Sequence, residues 1–89
     1  MHALRRGAAE ALEIIAHGDS RNSRVVGRRI EEIDLPQGAT IAALLRGQQV
    51  LIAHHDTVIQ NEDHVIIFVI NKRILPKVEK LFQVGIGFF

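Results

Sequence analysis

The residues best suited to chemistry in this 89-residue chain gather at a few places. His54, His55 and Asp56 stand together, with Asp63 and His64 a few positions on, and imidazoles and carboxylates are the side chains that hold divalent cations. Neighbouring residues of an extended chain point to opposite faces, so His54 and His55 reach one ion only if the loop bends sharply. Solvated loop histidines are the expectation, with a cation site as the alternative, and no metal ligand is assigned. Arg21, Arg24, Arg28 and Arg29 form a basic group whose guanidinium forks suit an anionic ligand or an acidic partner. Arg28 and Arg29 also precede Glu32 at the spacings that pair charges along a helix, and a solvated, self-paired face is the simpler expectation. His17, Asp19, Ser20 and Ser23 offer the residue types of a hydrolytic triad, but a triad is a geometry and not a local composition. Asp19 and Ser20 read as turn residues and Ser23 as a helix cap, so no catalytic residue is named and the chain is not expected to be an enzyme. Gly85 and Gly87 lack the preceding strand, third glycine and following helix of a dinucleotide fingerprint, so no cofactor-binding residue is assigned.

Composition narrows the classes further. The formal net charge is +1, too weak a field to indicate nucleic acid or a membrane surface as partner. Absence of cysteine excludes disulfides, thiolate metal sites and cysteine nucleophiles. The apolar runs fall far short of the roughly 20 residues of a membrane-spanning helix, and Met1 to Arg6 has no apolar signal core. A cytoplasmic domain is expected. Hydrophobic residues make up 47% of the chain, yet there is no Trp or Tyr and only four Phe. A core so thin in aromatic area leaves room for a partner chain to supply burial.

The elements that must position these groups read as follows. Residues 1–9 form a lead-in, and residues 10–83 the domain. Glu10 to Ala16 is a strand, with Leu12, Ile14 and Ala16 alternating against Ala11, Glu13 and Ile15. Ser23 caps a helix that carries Val26, Ile30 and Ile33 at helical spacing and ends at Pro36 and Gly38. Gly27 within it suggests close approach of another backbone. Thr40 to Arg46 is a strand with Ile41, Ala43 and Leu45 on one side. Gly47-Gln48 is a two-residue hairpin turn, and Gln49 to Ala53 returns. A polar loop at His54 to Asp56 leads to a short strand at Thr57 to Ile59. Asn61 to Asp63 turn the chain into Val65 to Ile70, a strand expected to be covered on both faces. Ile74, Val78, Leu81 and Phe82 share one face of a final helix, with Pro76 in its first turn. Residues 84–89 are an apolar tail. The fold class is α+β, in the order β-α-β-β-β-α, with helices packed on a small sheet and copies pairing as dimers.

The succession Val26-Gly27-Arg28 with Ile30, Leu35-Pro36, Arg46-Gly47-Gln48, Thr57-x-Ile59 and Glu62-Asp63-x-Val65 resembles the TrkA-C domain, the C-terminal regulatory (RCK_C) domain of RCK-type potassium transport proteins. "RRGAAEALEIIAHGD" and "LFQ" add similarity to the potassium uptake branch. Glu62 stands where the wider family often has Gly, which puts the geometry of that turn in question. The resemblance implies a regulatory and assembly module at the inner face of the membrane. It implies homodimers or larger rings, a membrane potassium transporter subunit as partner, and in some relatives a small-molecule or ion ligand. A nucleotide of the NAD(H) or ATP type is implied only for separate Rossmann domains of such proteins, which this sequence lacks. Two alternatives stay open: the same domain type inserted in a transporter of organic anions or sodium-coupled substrates, and a free-standing small-molecule sensor.

Overall fold

The structure is a computed structural model and describes residues 10–83. The lead-in at 1–9, the apolar tail at 84–89 and the Gly85-x-Gly87 pair lie outside these residues. The sheet has four strands in the spatial order β1-β4-β2-β3: β1 (Glu10–Ile15), β2 (Ala39–Arg46), β3 (Gln49–Ile52) and β4 (His64–Val69). Every pairing is antiparallel. One helix, α1 (Leu75–Phe82), follows a 3-10 turn at Lys72–Ile74 and places Pro76 in its first turn, where the missing N–H costs nothing. Val78 and Phe82 of α1 are buried, with Leu81 packed beside them, as the helical spacing predicts.

β2 departs from simple alternation. A bulge between Ile41 and Ala43 inserts an extra residue and resets the pleat, so Ile41 and Leu44 face the core. Ala43 and Leu45, expected beside Ile41, lie on the opposite face, against Ile66 and His64 of β4. The β2–β3 turn does follow the sequence, with Gly47 at φ 62° as the first central residue of a hairpin requires.

The expected helix after Ser23 is absent. Residues 20–38 form a chain of turns with a single 3-10 turn at Ile30–Glu32. Gly27 has φ 82°, a left-handed conformation that ends any helix there. Its backbone partners lie across the chain and not one turn back. The Gly27 N–H donates to the Ile59 carbonyl (2.7 Å), Ile59 N–H to Arg28 (3.1 Å), Ile30 N–H to Thr57 (2.9 Å) and Glu31 N–H to His55 (2.9 Å). This clasp takes the place of the short strand expected at Thr57 to Ile59, where only an isolated bridge between Arg29 and Val58 forms. Ser23 keeps a capping role without a helix: its buried hydroxyl oxygen accepts from the Val25 and Val26 N–H groups at 3.1 and 3.0 Å.

Val25, Val26 and Ile33 from the turns, Ile59 from the clasp and Val78 and Phe82 from α1 pack on the inner face of the sheet, against Ile41, Leu44, Val65, Ile67 and Val69. Among the described residues the core is therefore single and one-sided. The other face of the sheet has no cover among the described residues.

Candidate functional site: the open sheet face and its supports

Register places the uncovered face residue by residue. Val65, Ile67 and Val69 of β4 are buried, so the alternate residues His64, Ile66 and Phe68 point outward. Ala11 lies beside Phe68, Glu13 beside Ile66 and Ile15 beside His64. On the other flank Thr40 lies beside Phe68, and Ala43 and Leu45 carry the face on to Ile52 and Val50 of β3. Phe68 is 45% exposed, Val50 62% and Ile52 65%. Scattered exposed hydrophobes are ordinary on a protein surface, but a contiguous apolar sheet face marks an interaction site. Val65 to Ile70 were expected to be covered on both faces; among the described residues, only one face is.

Among the described residues, two ionisable side chains sit on this face, and they are paired. His64 Nδ1 lies 2.5 Å from Glu13 Oε2 across the β1–β4 ladder, each side chain a little under half exposed.

The turn that launches β4 is held from the core side. Asp63, 1% exposed, accepts from Arg46 Nε at 2.9 Å and from Arg46 Nη2 at 2.8 Å, in the two-pronged geometry that suits a guanidinium and a carboxylate. Gln60 N–H adds a third hydrogen bond at 2.8 Å, and Arg46 Nη2 also donates to the Val58 carbonyl at 2.9 Å. Burial alone would push the Asp63 carboxyl up. The Arg46 and Gln60 hydrogen bonds and the Arg46 charge outweigh it and hold the group below the ordinary aspartate value. Just before it, Glu62 has φ 73°, the one left-handed non-glycine among the described residues. Its N–H donates to the Ala16 carbonyl at 2.7 Å, and Asn61 Oδ1 accepts from Gly18 N–H at 2.9 Å. The doubt raised by Glu62 in place of glycine is thus answered: the turn keeps the glycine-type conformation with a glutamate in it.

The residues singled out from the sequence do not assemble as a catalytic or metal centre. His54, His55 and Asp56 are exposed in the loop after β3, while Asp63 is committed to Arg46 and His64 to Glu13. Among the described residues, no group of three or more His, Cys, Asp or Glu side chains could hold a metal ion. His17 Nδ1 meets Glu62 Oε2 at 3.2 Å, Asp19 accepts from the Arg21 N–H at 2.8 Å and Ser23 is a cap, so these residues do not converge.

The basic group is partly self-paired. Arg29 lies 2.9 Å from Glu31 and 3.5 Å from Glu32, and the Arg29 N–H donates to Glu32 at 2.8 Å. That backbone hydrogen bond, reinforced by the Arg29 side chain, holds the Glu32 carboxyl below its usual value. Arg28 reaches the Ser20 carbonyl at 3.4 Å instead of making the expected pair with Glu32. Arg24 lines a shallow groove of about 260 Å³ with Asp34, Leu35, Pro36, Lys77, Lys80 and Leu81. Sequence reading missed Lys77 and Lys80 as companions of Arg24, because they come from α1, more than fifty positions away. It could find the open face only in part: the run from Val65 to Ile70 showed two apolar sides, but not which side the turns and α1 cover.

Comparison with known proteins agrees with this architecture. Residues 20–83 match the TrkA-C domain. The chain is 63% identical over 89 residues to the Trk system potassium uptake protein TrkA of Halomonas elongata, covering all of this chain and 20% of that protein. It is 59% identical over 80 residues to the same-named protein of Vibrio alginolyticus, covering 90% of this chain and 18% of that one. It spans about a fifth of the length of these relatives. Among solved structures, the RCK_C domain dimer of S. agalactiae BusR in complex with c-di-AMP superposes with a TM-score of 0.65 at 27% identity, over 81% of this chain and 93% of that one. The chain belongs to the TrkA-C domain family.

Proposed function

We propose that the chain is the assembly and regulatory module of a Trk-type potassium uptake protein, in which copies pair through the open sheet face. The observation that carries this reading is the contiguous apolar face built on β4 and its neighbours, a surface that costs free energy while it meets water. The relatives named for Trk potassium uptake and the RCK_C dimer of similar fold support the same reading. The module works at the inner face of the membrane beside a potassium transporter subunit. Nucleotide binding of the NAD(H) or ATP type belongs to other domains of such proteins.

A ligand fits this scheme only if it binds one assembled state more tightly than the other, because equal affinity shifts nothing. The groove lined by Arg24, Lys77 and Lys80 over Leu35, Pro36 and Leu81, with the Asp34 carboxylate also in its lining, has a cationic excess and an apolar floor that suit an anionic small molecule. A thermal-shift screen of c-di-AMP, ATP and inorganic phosphate tests this half. A stabilising anion should lose its effect in Lys77→Glu/Lys80→Glu, and an unchanged shift in that variant would remove the groove from the account. The assembly half is tested by placing Phe68→Asp in a whole uptake protein that contains these residues. Potassium uptake in cells that depend on it should fall or lose its regulation; unchanged, normally regulated uptake would contradict the proposal.

A further inference from the structure

Among the described residues, the open face carries ionisable side chains at one spot. Glu13 and His64 pair at its β1–β4 side, flanked by Ile15, Ile66 and Leu45. Between about pH 5 and 8 a histidine changes its charge while a carboxylate stays ionised, so the pair is neutral overall when the imidazole is protonated and anionic when it is not. Exposed to water, that difference costs little. Covered by a second copy, the anionic form becomes a desolvated carboxylate beside a neutral ring, and a buried charge without a counter-charge is expensive.

We propose that pairing of two copies through this face takes up protons at Glu13–His64, so that association tightens as pH falls from 8 towards 6. The inference rests on the self-association proposed above. The surroundings of His64 single it out. On β2 the residue opposite it is Leu45, on β1 it is Ile15, and neither titrates. Asp63, next in the chain, is turned to the core side and held by Arg46. Among the described residues, the remaining titratable groups at this end are His17 and Glu62, paired with each other beyond the end of β1 and more exposed than Glu13 and His64. A second copy brings the same Glu13 and His64, each pair already self-neutralised, so two faces can meet without like-charge repulsion.

Sedimentation equilibrium of the full chain between pH 5.5 and 8.5 is the test. For the unaltered chain the dissociation constant should rise about ten-fold from pH 6 to pH 8, an order-of-magnitude expectation for desolvating an uncompensated carboxylate. His64→Gln should abolish the slope, and His17→Gln should retain it. Glu13→Gln should reverse it, because pairing would then bury an imidazolium with no counter-charge, an outcome that loss of folding does not produce. A tight dimer with no pH dependence overturns the inference and leaves self-association standing, as does a slope that survives His64→Gln or vanishes in His17→Gln. A monomer at every pH overturns both.

Discussion

At the scale of single residues, the bond between Arg46 and Asp63 anchors the turn that feeds β4. Asp63 is fully buried and accepts three hydrogen bonds, so Asp63→Asn removes a charge partner and leaves Arg46 facing an amide that cannot accept both prongs. Partial exposure of Arg46 softens the loss, and denaturant unfolding should show about 3 kcal/mol of destabilisation. The pH dependence has a definite sign. With its folded-state value held below that of the unfolded chain, Asp63 contributes stability that is fully present above about pH 4 and lost as pH falls through the folded-state value. Acid titration of unfolding should show that slope in the unaltered chain and a shallower one in Asp63→Asn. Glu62 is the opposite case, an L-residue in a left-handed conformation. Glu62→Gly relieves the strain, at the loss of an exposed contact to His17 and with a more flexible unfolded chain, so the gain in unfolding free energy should be at most about 1 kcal/mol. A net loss would mean that the His17 contact and the added freedom of the unfolded chain together outweigh the strain.

At the scale of elements, the segment from Ser20 to Gly38 separates what local pattern can and cannot specify. Val26, Ile30 and Ile33 are spaced for a helical face, yet the backbone groups of Gly27, Arg28, Ile30 and Glu31 bond to residues 55–59. Gly27 decides between the two, with φ 82° and an added Cβ that would lie 3.2 Å from the Ser20 Cβ. Gly27→Ala should therefore cost about 1–2 kcal/mol in unfolding free energy, whereas in a helix the same change would stabilise. β1, the β2–β3 hairpin, β4 and α1 were legible because alternation, a turn glycine and a Pro-led amphipathic stretch are local signals. The clasp was not, since its partners are some thirty positions apart and hydrophobic spacing says nothing about which backbone will satisfy a given N–H. Nor was the bulge in β2, because a one-residue insertion leaves composition unchanged while exchanging Ala43 for Leu44 in the core. The groove beside α1 escaped for the same reason as the clasp: Arg24 meets Lys77 and Lys80 only through the fold.

At the scale of the whole molecule, all cover among the described residues lies on one side of the sheet, and the other side is the face proposed to meet another copy. The sequence hinted at this through a core poor in aromatic residues and through Phe68 inside a run apolar on both faces. Its position corrects a simpler expectation. Phe68 is 45% exposed in the single chain, so a charge there is tolerated by the monomer and penalised only on pairing. The central claim is that this face joins two copies, and sedimentation equilibrium of Phe68→Asp beside the unaltered chain, with thermal unfolding of each to confirm folding, tests it most directly. The unaltered chain should be a dimer and the variant a folded monomer, with the dissociation constant raised at least about a hundred-fold, as expected for a charge placed at the centre of an apolar interface. A Phe68→Asp chain that stays folded and dimerises as tightly as the unaltered one would contradict it.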